Sequence, residues 1–297
     1  MRRVETITSR TAEMTCLCRA ASSLERRPLY KSDDWIARLL LPKKVQFAFM
    51  LPPARRALIG AFAPEGIYEW VIARTKYLDS FFVNSAGSGF GQVLLLGAGF
   101  DTRGIRFERE LKEARVFELD APTTQGAKID QYHKRGVCPP SNLLFVPINF
   151  EKESVEQKLR EIKFDAGCKS FVVAEGVTQY LEPQAIDELF RTIEEFTAPG
   201  SRIVFDYAHA SVLKGESKAY GEERMQAGLN RSGESWQFGL DEGEVEPFLR
   251  KYGLRLLARM SPADLEAAYF TDASGARVAR INGTQSIVLA ERQTEMN

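Results

Sequence analysis

From Val93 onward the chain repeats one pattern, a short apolar run followed by a longer stretch with helical spacing. The runs are Val93-Leu94-Leu95-Leu96, Val116-Phe117-Glu118-Leu119, Leu143 to Ile148, Phe171-Val172-Val173-Ala174 and Ile203-Val204-Phe205. A strand apolar throughout is one buried on both faces, which needs helices above and below it. Helical stretches at 122–135, 151–162 and 183–196 separate the runs. Strands alternating with helices of this length pair in parallel, and right-handed crossovers leave few topologies open. The pattern predicts an α/β fold: an open, Rossmann-like, mostly parallel sheet with helices on both faces. Two later strand candidates, 254–260 and 284–290, are expected to pair antiparallel at its edge.

Residues 1–90 read differently. Met14, Leu17 and Leu24 mark a helix over about 8–27, and Trp35, Ile36, Leu39 and Leu40 a short one stopped by Pro42. From Pro64, residues Ile67, Trp70, Val71, Tyr77, Leu78, Phe81 and Phe82 recur at helical spacing, with Gly87-Ser88-Gly89 beyond their end. This predicts an N-terminal helical lid (1–90) on a core (91–297). Within the core, 211–240 is polar and Gly-rich and is expected to be an insertion covering the substrate. Asp241 and Glu244 form a capping-box pattern opening a helix to Tyr252 that Pro247 is expected to bend.

Forty basic and forty acidic residues cancel, which argues against a nucleic-acid partner. No apolar h-region follows Met1-Arg2-Arg3, and no run approaches the ~18 apolar residues of a membrane span. The chain is expected to be soluble and cytoplasmic, without a membrane partner; its oligomeric state is unspecified. Of four cysteines, Cys16 and Cys18 stand two apart on a helix and so point to different faces. With only His133 and His209 to add, no metal site is expected, and the thiols are read as reduced.

The sharpest motif is Val93-Leu94-Leu95-Leu96-Gly97-Ala98-Gly99-Phe100-Asp101-Thr102-Arg103. A strand entering a Gly-x-Gly turn lets a ligand approach the backbone. The next strand ends in Glu118-Leu119-Asp120, where a carboxylate can accept both ribose hydroxyls of an adenosine. A dinucleotide site wants a third glycine beside its pyrophosphate. Thr102 stands there instead, and Asp101 would repel a pyrophosphate while tolerating a sulfonium or an ammonium. The combination favours S-adenosylmethionine (SAM) over NAD(P) or FAD.

The stretch Leu95-Leu96-Gly97-Ala98-Gly99-Phe100-Asp101-Thr102-Arg103 resembles the signature of the leucine carboxyl methyltransferase family. Further resemblances follow in order: Arg19-Ala20, Ala73-Arg74-Thr75-Lys76-Tyr77-Leu78-Asp79, Phe117-Glu118-Leu119-Asp120-Ala121-Pro122, Val146-Pro147-Ile148-Asn149-Phe150, Ala174-Glu175-Gly176-Val177-Thr178-Gln179-Tyr180-Leu181 and Phe205-Asp206-Tyr207. At Asn149 the family commonly carries an Asp. The resemblance spans roughly residues 8 to 291 and implies a class I SAM-dependent methyltransferase.

It implies roles as well. Arg74, with Arg19 as second candidate, is expected to hold the SAM carboxylate. Gly97 and Gly99 pass beneath the methionine, with Asp101 beside them; Asp120 holds the ribose, Asn149 and Phe150 the adenine, and Glu175 the ammonium. His209 is the candidate base for a hydroxyl acceptor, with Tyr207 beside it at the reacting end, although a loop histidine with satisfied hydrogen bonds is the competing reading. Tyr180 and Tyr207 are expected on the pocket floor, and Trp236 and Phe238 on the acceptor surface. The expected reaction is O-methylation of a small-molecule carboxylate or hydroxyl. Methylation of a protein C-terminus, a silent SAM-binding protein and a nicotinamide-dependent oxidoreductase are the alternatives.

Overall fold

The computed structural model describes residues 8–84, 89–150, 152–232 and 234–294. Gly87, Ser88 and Glu151, which the sequence reading used at helix boundaries, lie outside the described residues.

Seven strands build one sheet: β1 (Gln92–Leu96), β2 (Arg115–Asp120), β3 (Leu143–Pro147), β4 (Ser170–Ala174), β5 (Arg202–Ala208), β6 (Leu254–Met260) and β7 (Gln285–Arg292). Their order is β3-β2-β1-β4-β5-β7-β6. The first five pair in parallel, and β7 runs antiparallel to both β5 and β6. β5 and β7 outrun their expected ends because they pair continuously from Arg202 opposite Glu291 to Ala208 opposite Gln285.

Five helices precede the sheet: α1 (Arg10–Ser23), α2 (Ala37–Leu40), α3 (Lys43–Phe49), α4 (Pro52–Phe62) and α5 (Ile67–Val83). Then come α6 (Arg103–Arg106), α7 (Pro122–Arg135), α8 (Val155–Glu161) and α9 (Pro183–Phe196) between strands. Between β5 and β6 lie α10 (Ala210–Leu213), α11 (Glu222–Ser232) and α12 (Val245–Lys251), and α13 (Pro262–Tyr269) precedes β7. No helix among the described residues is long and apolar enough to cross a membrane.

The strands' period of two feeds two apolar layers. On one face Val93, Leu95, Val116, Phe171 and Val173 pack with Trp70, Val71, Leu78 and Phe82 of α5 and Leu265 of α13. On the other, Leu94, Leu96, Phe117, Leu119, Val172 and Phe205 meet Leu159 of α8, Leu249 of α12, and Ile186, Leu189, Phe190 and Ile193 of α9. Each such side chain, fully buried, contributes about 1.5–3 kcal/mol. Helix α5 therefore shares the core of the sheet, while α1 and α2 form a third cluster with Phe49, Phe100 and Tyr132.

Several helices arise where the sequence pattern is weak. The region 211–240 holds α11, whose Glu222 and Glu223 sit favourably in its first turn. Helix α13 opens with a capping box between Ser261 and Asp264, a local signal the periodicity alone does not carry. Helix α5 begins at Ile67, after Gly66 in a left-handed conformation, and not in the turn containing Pro64. The predicted box of Asp241 and Glu244 is formed, and it opens a 3₁₀ turn that leads into α12.

Candidate active site

The carboxyl ends of β1, β2, β3 and β4 meet α1 around a cavity of about 560 Å³. That lies within the ~300–1,000 Å³ common for small-molecule sites. Arg19, Arg74, Gly97, Gly99, Asp101, Asp120, Asn149, Phe150, Glu175 and Tyr180 all line it.

The glycine turn makes the floor. Gly97 (φ 58°) and Gly99 (φ 48°) both adopt left-handed backbone, which disfavours other residues. A Cβ at Gly97 would collide with the Val177 side chain, and one at Gly99 would press on Ala12 of α1 at 3.1 Å. The Gly99 N–H donates to the Asp120 carboxylate, which also accepts from Ala121 N–H at 2.5 Å. Burial raises the Asp120 carboxyl above its ordinary value against the pull of these donors.

A chain of buried charges runs along the same cavity. Arg103, only 1% exposed, reaches Asp79 (2.8 Å), Asp101 (2.6 Å) and Glu175 (2.6 Å). Glu175 also meets Arg74 Nε at 3.0 Å, and Arg74 pairs with Asp206, which accepts from Gly176 N–H at 2.6 Å. Arg19 pairs with Asp34 (2.8 Å) and donates to the Phe100 carbonyl. Burial alone would raise the Asp101 carboxyl, but Arg103, Arg19 and Lys128 outweigh it and hold the group well below the usual range. Glu175 is likewise lowered, burial being outweighed by Arg103 and Arg74. Arg103 and Asp206 have no role in the reading of the sequence. Their signal was only that each lies inside a recognised motif, since nothing local says where a buried side chain reaches.

The other expected residues fall elsewhere. Tyr207 is fully buried on β5 within the layer of Phe205, because alternation along the strand sends Asp206 toward Arg74 and Tyr207 the opposite way. His209 does not line the cavity; it caps α10, and its Nε2 is 2.8 Å from Ser286 Oγ. Burial and the nearby Arg259 lower its pKa. Trp236 and Phe238 pack into the two core layers, Phe238 with its ring 5.5 Å from that of Phe248. Between them Gln237, and before them Glu234 and Ser235, face the cavity. The aromatics thus anchor the segment while its polar side chains line the space.

At that end Thr11 Oγ donates to Glu234 Oε2 at 2.6 Å and lies 3.3 Å from the Tyr180 hydroxyl. Gln237 N–H donates to the Gln179 carbonyl and its side chain to the Tyr180 carbonyl. Three distant chain segments are tied across one wall of the cavity. Thr11 and Glu234 went unrecognised in the sequence because each is a lone polar residue in a polar stretch.

Two residues before Asp120, Glu118 is buried with Lys128 Nζ at 2.6 Å. Burial pushes its carboxyl up to about 7 from 4.5, although Lys128 pulls the other way. A raised carboxyl stabilises the fold fully below its unfolded value, and that contribution is lost as pH rises through the folded value. Wild-type melting temperature is therefore expected to fall, relative to that of Glu118→Gln, between about pH 4.5 and pH 7. Parallel melting curves across that window would remove the assignment.

A seven-stranded sheet of this order with a glycine-floored cavity at its carboxyl edge is the fold of class I SAM-dependent methyltransferases. Residues 12–194 match the family model of leucine carboxyl methyltransferase. A protein of Mycolicibacterium smegmatis, provisionally named an S-adenosyl-L-methionine-dependent methyltransferase, is 30% identical over 263 residues, covering 87% of this chain and 85% of its own. YktD of Bacillus subtilis, with the same provisional name, is 29% identical over 218 residues, 70% of this chain and 71% of its own. The chain belongs to the leucine carboxyl methyltransferase family. Two solved structures show the same fold: a duf574 family protein of Streptomyces avermitilis (TM-score 0.61, 14% identity, 98% and 100% covered) and a provisionally named methyltransferase of Thermobifida fusca (TM-score 0.58, 19% identity, 81% and 89% covered).

Proposed function

We propose that the protein is a SAM-dependent O-methyltransferase acting on a small-molecule hydroxyl, with Glu234 accepting the proton. The observation that carries the choice of acceptor is the group of Thr11, Tyr180 and Glu234 at one wall of the cavity.

Lining residues supply candidate partners for the carboxylate, ammonium, ribose and adenine of SAM. Arg74 and Arg19 offer guanidinium groups to a carboxylate, although both are also tied to buried acids. Glu175 and Asp101 offer negative charge to an ammonium. Asp120, at the end of β2, is assigned to the ribose diol, and Asn149 and Phe150, which also line the cavity, to the adenine. The bare backbone at Gly97 gives the close approach such a ligand needs. When bound, SAM supplies an electrophilic methyl group on a sulfonium.

Among the lining residues without a partner on SAM are Thr11, Tyr180, Leu181, Glu234, Ser235 and Gln237, which gather at one wall. A carboxylate acceptor is already ionised and needs no base, and Glu234 would repel it. A hydroxyl acceptor gains from a carboxylate within reach of its proton. Tyr180 and Thr11 orient Glu234 and the acceptor oxygen, and α1, with the segment after α11, excludes water.

The test is transfer of a labelled methyl group to a panel of phenols, alcohols and carboxylic acids, with each product treated with mild base. Methyl ethers survive, whereas methyl esters release methanol. Glu234→Gln is expected to lower kcat by about a hundredfold, within the ~10²–10⁴ of general base catalysis, with SAM affinity unchanged. Base-labile products, or a variant with unaltered kcat, would reverse the choice of acceptor.

A further inference from the structure

The segment 35–64, bounded by Asp34 and Glu65, contains no acidic residue and five basic ones, Arg38, Lys43, Lys44, Arg55 and Arg56. The whole chain is balanced at forty of each sign, so this is a local segregation of charge. It coincides with α2, α3 and α4. None of the five cations forms an ion pair among the described residues.

The same helices expose large apolar side chains. Val45 and Phe49 of α3 and Leu58 and Ile59 of α4 turn inward against the cluster around α1. Phe47, Met50 and Leu51, at the α3–α4 connection, are 76%, 69% and 57% exposed, and Phe62 at the end of α4 is 61% exposed. Helix α4 buries none of its residues fully. Each exposed Phe, Met or Leu left in water forgoes a stabilisation of about 1.5–3 kcal/mol, so an apolar cover is favoured.

We propose that the α3–α4 hairpin is an interfacial docking surface for an anionic lipid bilayer. Apolar side chains flanked by lysine and arginine match a negatively charged headgroup layer with hydrocarbon beneath it. A second copy of the chain is disfavoured, because a two-fold interface would set this basic face against itself. A polyanion without an apolar phase would leave Phe47, Met50 and Leu51 uncovered. The eleven residues of α4 extend about 16 Å, against ~30 Å of hydrocarbon, so the helix lies on the membrane and does not cross it. Helix α4 packs on α1, which contributes Thr11, Thr15 and Arg19 to the cavity, so docking sets the lid beside the bilayer. The inference rests on this face alone and is independent of the acceptor's identity.

The test is co-sedimentation of the full chain with phosphatidylcholine vesicles, with and without phosphatidylglycerol, at low and high salt. Binding is expected only to the mixed vesicles, weakening as salt rises. At about fivefold per cation near the surface, Lys43→Glu with Lys44→Glu is expected to lower partitioning at least ~25-fold. Phe47→Ser with Met50→Ser is expected to remove the binding that persists at high salt. Melting temperatures of both double variants are expected to match wild type, since the altered side chains are exposed. Absence of binding to the mixed vesicles, or binding by both variants equal to that of wild type, overturns the proposal. So does self-association in light scattering that Phe47→Ser with Met50→Ser abolishes, which would make a second copy the occupant.

Discussion

Arg103→Leu is expected to destabilise the protein by roughly 3–5 kcal/mol or to prevent its folding, although Arg103 meets no solvent. Its guanidinium is the shared partner of Asp79, Asp101 and Glu175. Its removal leaves Asp101 without an ion-pair partner among the described residues and takes one of two arginines from Asp79, which keeps Arg106, and from Glu175, which keeps Arg74, so desolvation works chiefly against Asp101. The pH dependence identifies the cause. In the wild type Asp101 and Glu175 are held below their ordinary values, so their contribution is present above those values and is lost as pH falls. The variant lacks that contribution. Its deficit is therefore largest near neutral pH and shrinks as pH falls and Asp101 takes up a proton. Denaturant unfolding of both proteins at a series of pH values measures this directly. A deficit independent of pH would indicate lost packing against Phe82, whose ring lies 5.7 Å from the guanidinium carbon.

Asp120→Ala is expected to weaken SAM and S-adenosylhomocysteine binding by at least about a hundredfold. Each hydrogen bond to a charged group contributes about 1.5–3 kcal/mol, and the proposed ribose contact makes two. The same carboxylate holds the Gly99 and Ala121 N–H groups, so the turn itself also loses an anchor. Asp120→Asn separates the two effects: it keeps the size and one acceptor and is expected to recover part of the affinity. Titration calorimetry with both ligands and with NADH reads all three proteins. Unchanged affinity in Asp120→Ala would sink the ribose assignment, and binding of NADH would reopen the choice of cofactor.

The sheet was legible because strands buried on both faces must be apolar over their whole length, and turns between them must contain glycine or proline. Val93 to Leu96, ending in Gly97, satisfies both conditions without reference to any other part of the chain. Helices α7 and α9 were legible as well, since Pro122 and Pro183 mark their first turns, and α9 adds regular apolar spacing through Ile186, Leu189, Phe190 and Ile193. Helices α3, α4 and α11 were not. Their apolar residues are partly exposed or interrupted, so the periodic signal is weak.

The sequence by itself determined the class of fold, the order of the motifs and the residue types gathered at the carboxyl edge of the sheet. These follow from local rules of burial, turn conformation and spacing. Only the tertiary structure decided which face of a segment meets the cavity. It turned Glu234 and Gln237 inward and sent Trp236 and Phe238 to the core; it placed Asp206 against Arg74 while burying Tyr207 on the other side of β5. It also took His209 to Ser286 and brought Asp79, Asp101 and Glu175 onto one arginine. Those outcomes depend on where distant segments pack, and a charged or aromatic residue carries no local mark of the partner it will meet.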